Sequence, residues 1–233
     1  MTLTIALRTA LSGIQANQTA LQVSANNISN ANTEGFTRKE VELSPRRLGT
    51  AGAGVEISGI TRAVDEFLQA GIREQSATVG RQYTLDNVLS EIQGILGSPS
   101  SDQSIATNIV ELNSALETLA LAPESGTGRF NSVNEARKLS TKLNQLSDLL
   151  QSLRNDADQA IERSVGVVQT QLTLIKSLNT QVARAVALGD DTGEIRDQRD
   201  TALGRIAEEI GFRTIENLAG VITIFTSGGT TLL

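Results

Sequence analysis

The first pattern along the chain is a heptad stripe of apolar and small side chains over residues 3–28. Its members recur at alternating steps of four and three, at Leu3, Leu7, Ala10, Ile14, Asn17, Leu21, Ser24 and Ile28. This spacing predicts a helix that presents one face to a partner helix. The middle of the stripe is polar, and an isolated helix of this length is only marginally stable in water. Two interpretations follow: an amphipathic helix packed on its own domain, or a helix that stays disordered until it meets other subunits.

An Asn-rich segment over residues 26–36 follows the stripe. Asn and Gly tolerate left-handed backbone and Asn side chains cap turns, so the first helix is predicted to end inside this segment. Residues 36–43 then alternate in polarity as a strand does. Residues 44–45 (Ser-Pro) predict a turn, residues 49–54 a flexible loop, and residues 55–57 a short second strand.

Helical spacing returns in the middle of the chain. A long helix is predicted by Ile60, Val64, Phe67, Leu85, Val88, Leu89, Ile92 and Leu96. Gly97 and Pro99 predict its end, because Gly caps a helix and Pro cannot continue one. Residues 101–102 (Ser-Asp) predict the start of another helix, and the Pro- and Gly-containing segment 123–128 breaks the chain again.

The longest pattern covers residues 133–187, which contain no proline and a single glycine, Gly166. Leu, Val and Ala, with Ser164 and Gln171 as polar members, keep the four-three rhythm over residues 139–178. A continuous helix here would be on the order of 80 Å long at 1.5 Å per residue. Such helices are typical of rods, and Gly189 is predicted to end this one.

Shorter elements complete the chain. A short helix over residues 194–210 is followed by two strands, 212–216 and 221–226, around a turn at 218–220. Residues 230–233 also look like a strand.

The predicted fold class is therefore mainly α: a long antiparallel helical bundle or coiled-coil rod with an N-terminal assembly helix and short β-hairpins. We expect four consecutive parts. These are the assembly helix and Asn-rich turn (1–35), a short β linker (36–60), a long α-helical domain (61–211), and a β-hairpin (212–233) that starts a further domain or closes the chain.

Composition removes most catalytic chemistry. The 233 residues include no His and no Cys, which excludes the commonest general base, the Ser-His-Asp arrangement, H-E-x-x-H zinc sites and thiol catalysis. The segment 49–54 is not a phosphate cradle, because no Gly-Lys-Ser/Thr follows it. The acidic run 190–194 lacks the spacing of a calcium loop. We therefore expect no cofactor, no metal and no enzymatic activity.

Charge and hydropathy limit the partners and the location. The net charge is -6, which argues against a nucleic-acid surface, since that needs clustered Lys and Arg. No apolar run approaches the roughly 20 residues of a membrane span. The N-terminus lacks a basic start and Arg8 interrupts its apolar stretch, so no cleaved signal peptide and no membrane insertion are expected.

Residues 20–36 resemble the N-terminal signature of flagellar axial proteins, the group of rod, hook and hook-associated proteins. The signature reads approximately A-L-x-V-x-x-N-N-I-A-N-x-x-T-x-G-F/Y, and residues 11–18 look like the helix that precedes it. Ser29 stands where the signature usually has Ala. The positions that match its turn are Asn26, Asn27, Ile28, Asn30, Asn32, Thr33, Gly35 and Phe36.

Three later segments resemble the hook-associated protein 1 family in particular. Residues 54–68 look like its G-V-x-V-x-x-I-x-R-x-x-D-x-F/Y-L run, and residues 123–129 look like the breaker between its helices. Its D-Q-R-D helix motif is matched by Asp197, Gln198, Arg199 and Asp200. Rod and hook proteins consist mainly of strands beyond the first helix, so they fit this chain less well. The alternatives are another axial subunit, either a second junction protein or a rod component, and, as a distant third, an enzyme.

The resemblance implies a structural subunit that is exported unfolded by the flagellar type III apparatus. It then assembles at the distal end of the hook, outside the cell, and forms the hook–filament junction. The implied partners are the hook protein, the second junction protein, other copies in the axial ring, and the export apparatus with its chaperone. Family members are longer and return to a C-terminal helix that pairs with the N-terminal one, so the chain is expected to be the first part of such a protein or an unusually short member.

The resemblance also assigns roles to the residues above. Subunit assembly is expected to bury Leu3, Leu7, Leu11, Ile14, Leu21 and Ile28. The Asn-rich turn is expected to set the angle between the first helix and the rest of the protein, with Phe36 as its anchor. For Asp197, Arg199 and Asp200 two interpretations remain: a solvated helix face, or an intramolecular ion pair that fixes the short helix on the long one.

Overall fold

The computed structural model describes residues 3–48, 51–97 and 104–233, and these residues form five helices and two antiparallel hairpins. The elements in chain order are α1 (Leu3–Ser29), β1 (Lys39–Leu48), β2 (Ala51–Arg62), α2 (Glu66–Leu96), α3 (Ile105–Leu121), α4 (Gly126–Leu188), α5 (Gly193–Glu209), β3 (Phe212–Glu216) and β4 (Ile222–Thr226). The predicted class, mainly α with short hairpins, is confirmed.

The chain divides into two compact units. Unit 1 contains residues 1–78 and 166–233, and unit 2 contains residues 79–165. Each unit is described by itself below. The four consecutive domains expected from the sequence stay a prediction.

The β1–β2 hairpin is longer than the sequence predicted. The predicted turn at residues 44–45 is wrong, because Pro45 lies inside β1 opposite Val55. Two register shifts, at Glu42/Leu43 and Pro45/Arg47, accommodate the proline. Proline removes a ladder donor and is tolerated in a strand at such bulges.

The predicted loop and the predicted helix start nearby also need correction. The loop expected over residues 49–54 is wrong for 51–54, which belong to β2, while residues 49 and 50 lie outside the described part of the chain. Ile60, taken as the start of the helical spacing, is in β2 and pairs with Val41. Helix α2 begins only at Glu66, after Asp65 accepts a hydrogen bond from the Leu68 amide at 3.0 Å.

The boundaries of the middle helices follow local capping chemistry. Helix α2 ends at Leu96 as predicted, and Gly97 takes a φ of 72° that L side chains rarely adopt. The helix start expected at residues 101–102 lies outside the described residues. Helix α3 begins at Ile105 after Ser104, whose hydroxyl accepts from the Thr107 amide at 3.0 Å. Ser104 is therefore the N-cap of α3, because its side chain satisfies an amide that the first turn of the helix leaves without a partner.

Helix α4 is continuous over 63 residues, which confirms the long helix predicted over 133–187. It starts earlier than predicted, at Gly126, so the break after α3 is shorter than the segment 123–128. It ends at Gly189, whose amide bonds the Val186 carbonyl at 3.2 Å, while the Asp190 amide bonds the Ala185 carbonyl at 2.9 Å. These two bonds form a Schellman motif, which satisfies carbonyls that the helix end leaves open.

Unit 2 brings α3 against the first turns of α4. The buried hydroxyl of Ser132 lies 3.1 Å from the Ala115 carbonyl in α3 and 3.0 Å from the Gly128 carbonyl in α4. A short polar side chain allows the two helices to approach closely here without leaving an unsatisfied buried group.

Unit 1 holds the apolar core, where α4, α5 and the β3–β4 hairpin meet. Its buried members are Ile175, Ala202, Leu203, Ile206, Ile222 and Ile224. Each large side chain of this set contributes roughly 1.5–3 kcal/mol when it is fully buried. The predicted short helix and the two strands are confirmed, with Phe212 opposite Thr226 and Glu216 opposite Ile222.

The segment 230–233 is less regular than predicted. It contributes a single bridge, between Thr231 and Phe225, instead of a strand. Its backbone still covers β4, because the Leu232 amide donates to the Ile224 carbonyl at 2.8 Å. Across the described residues, no helix is long and apolar enough to cross a membrane.

Candidate functional site

Helix α1 lies against the β1–β2 hairpin through a face of small and polar residues. The Ser12 hydroxyl accepts a hydrogen bond from the Val55 amide at 3.1 Å. Gly54 has a φ of 106°, and a Cβ at that position would lie only 2.1 Å from the Ser12 Oγ. Ala16 is the buried residue of this helix, with 3% of its surface exposed. The close approach therefore depends on small side chains on both elements.

The opposite face of α1 carries the predicted assembly residues, and all of them are exposed. Exposed fractions range from 52% to 88% for Leu3, Leu7, Leu11, Ile14, Leu21 and Ile28. Ile14 and Ala16 are two positions apart, which is about 200° around a helix of 3.6 residues per turn. Helix α1 thus does pack on its own domain, but it does so through the face that carries Ser12 and Ala16, while the apolar stripe stays exposed.

The Asn-rich turn ties the end of α1 to the start of β1. The Asn27 side chain donates to the Lys39 carbonyl at 2.8 Å and accepts from the Lys39 amide at 2.9 Å. The rest of the turn bonds locally: the Asn30 side chain donates to Asn26 Oδ1 at 2.9 Å, and the Thr33 hydroxyl donates to Asn30 Oδ1 at 3.2 Å. Ile28 and Asn32 are exposed.

Gly35 and Phe36 make the next contacts. Gly35 has a φ of 78°, and a Cβ there would lie 2.2 Å from the Thr201 Oγ1 in α5. Phe36 is half-buried, and the Lys39 Nζ lies 5.1 Å from its ring centroid, a cation–π distance. The motif residues of the turn therefore meet both the hairpin and α5.

The D-Q-R-D segment of α5 contains buried charged residues, although a solvated helix face was one of the two interpretations of its sequence. Asp197 is 4% exposed and Arg199 is 3% exposed, so the solvated-face interpretation is wrong for both. Gln198, between them, is exposed. Successive helix positions point about 100° apart, which sends the neighbouring members of the motif to different partners.

Two carboxylates of the motif face the N-terminal segment. Asp197 Oδ1 accepts from the Thr37 hydroxyl at 2.5 Å and lies 3.3 Å from Arg62 Nη1, a pairing by charge without hydrogen-bond geometry. Asp200 Oδ2 accepts from Arg62 Nη2 at 2.5 Å. The Arg62 guanidinium thus lies between two carboxylates and is only 12% exposed.

Arg199 faces the C-terminal hairpin. Its guanidinium donates to Glu216 Oε2 at 2.9 Å and to the Gly220 carbonyl at 2.6 Å. Burial lowers the pKa of Arg199 and the Glu216 carboxylate opposes that change. Arginine remains charged at neutral pH in any case. The predicted ion pair with the long helix is wrong, because the paired carboxylate lies on β3. On α4 the Asn179 Oδ1, a neutral acceptor, receives a hydrogen bond from Arg199 Nη1 at 3.5 Å.

Several residues of this network escaped the sequence analysis. Arg62 belongs to the 54–68 segment, but no local pattern identifies partners that lie more than 130 positions away. Lys39, paired with Glu194 at 3.3 Å, carries no distinctive signal in the sequence. Asn179 lies on α4 outside its apolar rhythm, and its side chain bonds both backbone groups of Ile222.

The arrangement offers packing and ion pairs, and the described side chains suggest no chemistry beyond that. In the described part of the chain, no group of three or more Asp and Glu side chains is placed to hold a metal ion. The buried charged groups of α5, Asp197 and Arg199, are paired with Arg62 and Glu216. The geometry therefore favours a binding surface on α1 with a buried polar network at its base.

Comparison with protein families gives two matches. Residues 89–233 match the family described as the flagellar hook-associated protein FlgK helical domain. Residues 7–37 match the family described as flagella basal body rod protein, and this range covers most of α1 and the Asn-rich turn.

Three curated relatives share the name flagellar hook-associated protein 1. The Bacillus subtilis protein is 26% identical over 236 residues, covering 96% of this chain and 46% of the relative. The Escherichia coli protein is 27% identical, covering 97% and 42%. The Salmonella typhimurium protein is 27% identical, covering 96% and 41%. The chain thus spans less than half the length of these relatives. Because the helical-domain match alone extends over more than half of the chain, the protein belongs to the flagellar hook-associated protein FlgK helical domain family.

Proposed function

We propose that this chain is a structural subunit of the bacterial flagellum that assembles at the distal end of the hook and forms part of the hook–filament junction. The observation that carries the proposal is the division of α1 into two faces. One face packs on the β1–β2 hairpin, and the other presents an apolar stripe, with Leu3 88% exposed.

Burial of that stripe against neighbouring subunits supplies the driving force for assembly. A Leu or Ile side chain contributes roughly 1.5–3 kcal/mol when it passes from water to a fully buried site. The proposed partners are the hook protein, the second junction protein and other copies of the chain in the axial ring. The names of the curated relatives and the rod-family match over α1 support this group of partners.

The proposal includes the route by which the chain reaches this place. The chain leaves the cell unfolded through the flagellar type III apparatus, with its chaperone and without a cleaved signal peptide, and it functions outside the cell. The apolar stripe of α1 is exposed on the folded chain and becomes buried only when the chain docks, which agrees with assembly after export. The role is structural and not enzymatic.

Deletion of the gene tests the junction role. We expect electron microscopy to show complete hooks without filaments, and we expect flagellin to appear in the medium because nothing retains it. Normal filaments on the deleted strain would overturn the proposal.

A second candidate, another axial subunit such as a rod component, is favoured by the rod-family match alone. The same micrographs separate the two. Missing rods or missing hooks would assign the chain to an earlier axial part, whereas intact hooks assign it to the junction.

A further inference from the structure

We propose that α5 acts as a clamp that fixes the direction of α1 relative to the core of unit 1. The clamp consists of Glu194, Asp197, Asp200 and Thr201 on α5, and of Gly35, Thr37, Lys39 and Arg62 on the N-terminal segment. The use of this clamp in assembly rests on the proposed function, while the clamp itself is a property of the free chain.

The clamp holds both strands of the N-terminal hairpin at their shared base. Lys39 and Arg62 are directly opposite each other in the register of β1 and β2. Asp197 and Asp200 are three positions apart, so they lie on one face of α5. Together they bind Thr37, just before β1, and Arg62, at the end of β2.

The same face of α5 makes two further contacts. Lys39 is buried to nine-tenths, its Nζ lies 3.3 Å from Glu194, and its side chain crosses Gly193, where a Cβ would lie 3.0 Å from the Lys39 Cε. The contact between Gly35 and Thr201 lies two turns further along the helix. The clamp therefore spans two turns of α5 and resists rotation better than a single contact would.

The other side of α5 is fixed to the core. Ala202, Leu203 and Ile206 are fully buried in the cluster formed with α4 and β4. Arg199 binds Glu216 and the Gly220 carbonyl. Since α5 cannot move easily against the core, its contacts with the hairpin base fix the position of that base.

Helix α1 follows the hairpin because it is attached at both ends of the contact. Asn27 pairs with the Lys39 backbone near the C-terminal end of α1, and Ser12 binds Val55 nearer its start. A continuous series of contacts thus runs from the core through α5 and the hairpin base to α1. Its consequence is that the apolar stripe points in one direction.

A distance measurement on the free chain tests the clamp. The protein contains no Cys, so spin labels attach only at cysteines that are introduced. We choose two exposed positions, Gln22→Cys on α1 and Glu208→Cys on α5. Pulsed electron paramagnetic resonance then reports the distribution of distances between them. We expect a narrow distribution for the parent and at least a twofold broadening for Arg62→Met, which removes the cation that lies between Asp197 and Asp200.

Matched variants separate the clamp from general effects. Arg38→Met removes the same residue type from an exposed ion pair with Glu40 in the same segment, and we expect it to leave the distribution narrow. Arg62→Lys keeps the charge but loses the fork that reaches two carboxylates, so an intermediate width is expected. Asp200→Asn is a milder second variant should Arg62→Met lose helix content by circular dichroism. Narrow distributions for both Arg62→Met and Asp200→Asn would overturn the clamp.

Filament assembly in cells that carry Arg62→Met keeps the two proposals apart. A broadened distribution with lost filaments supports the clamp and its use in assembly. A broadened distribution with normal filaments leaves the clamp standing and overturns its use in assembly. A narrow distribution overturns the clamp whatever the filaments show, and it leaves the junction proposal to the deletion strain.

Discussion

Helices α1 and α5 both carry family motifs, yet they use them in opposite ways. Helix α1 has one buried residue among 27, whereas α5 has seven among 17, including Asp197 and Arg199. The apolar stripe of α1 points away from its own domain, while two charged residues of α5, Asp197 and Arg199, are enclosed. The apolar pattern of α1 thus stays exposed, and the polar pattern of α5 provides internal fixation.

Charge on the stripe of α1 is the change with the largest expected effect. We expect Leu7→Asp or Ile14→Asp to abolish hook binding, because a carboxylate cannot be buried in an apolar contact without a partner. Helix content of the purified chain stays the same, since both side chains are exposed. Binding to isolated hooks, measured by co-sedimentation, checks the prediction.

Gln15→Asp is the matched control for that experiment. Gln15 is exposed on α1 about 100° from Ile14, off the stripe. The Gln15→Asp variant adds one carboxylate to α1, as Leu7→Asp and Ile14→Asp do, and is expected to bind hooks normally. Equal binding by all three variants would remove the functional distinction between the two helices.

Removal of the Arg199 side chain probes the enclosed helix. Arg199→Met leaves the Gly220 carbonyl without its donor and leaves Glu216 with Arg196, at 2.9 Å, as its remaining cation. A buried pair that loses one partner costs about 3–5 kcal/mol, and we expect about 2–3 kcal/mol because Glu216 is one-third exposed. Urea unfolding measures the loss.

Arg213→Met, on the exposed side of β3, is the control for Arg199→Met and is expected to change the free energy of unfolding by less than about 0.5 kcal/mol. If Arg199→Met also lowered the free energy of unfolding by less than about 0.5 kcal/mol, the burial of Arg199 would not be energetically important.

Gly35→Ala tests the contact between the turn and α5. A Cβ at Gly35 meets the Thr201 Oγ1, and the φ of 78° is unfavourable for any L side chain. We expect a loss of about 1–2 kcal/mol in the free energy of unfolding. The double variant with Thr201→Ala removes the clash and leaves the backbone strain, so only part of the loss should return. Full recovery would contradict the role of the backbone angle.

Gly13→Ala has the smallest expected effect and the opposite sign. Nothing lies within 4 Å of a Cβ at Gly13, and Ala is favoured over Gly in a helix interior by roughly 0.5–1 kcal/mol. Slower hydrogen exchange in α1 is the expected result, with no change in the core of unit 1. Unchanged exchange would mean that α1 is already held by its contacts with the hairpin.

Local chemistry explains which parts of the fold the sequence predicted. The end of α1 at Ser29, the break at Gly189 and the β3–β4 hairpin depend on Asn and Gly in turns and on short-range periodicity. The turn predicted at Pro45 is wrong because a bulge in β1 accommodates the proline. That bulge depends on the register with β2, which the local sequence does not contain.

The candidate site divides in the same way. The stripe of α1 was predicted residue by residue, because a helix alone determines which side chains share a face. The partners of Asp197 and Asp200 could not be predicted, because Thr37 and Arg62 reach them only through the tertiary fold. Burial of Arg199 likewise depends on Glu216, at the end of β3, and on Gly220, in the turn that follows.

The irregular ladder of the β1–β2 hairpin has a consequence for copies of this chain held close together. A two-stranded sheet has two open edges, and an open edge of regular backbone is a template for further strands. In β1, Pro45 lacks an N–H, Arg46 and Arg47 add charge, and two register shifts interrupt the row. Strand addition from a neighbour, which would propagate without a natural end point, is therefore disfavoured. Contact between copies is left to side-chain fit, which can be satisfied by a closed set of subunits.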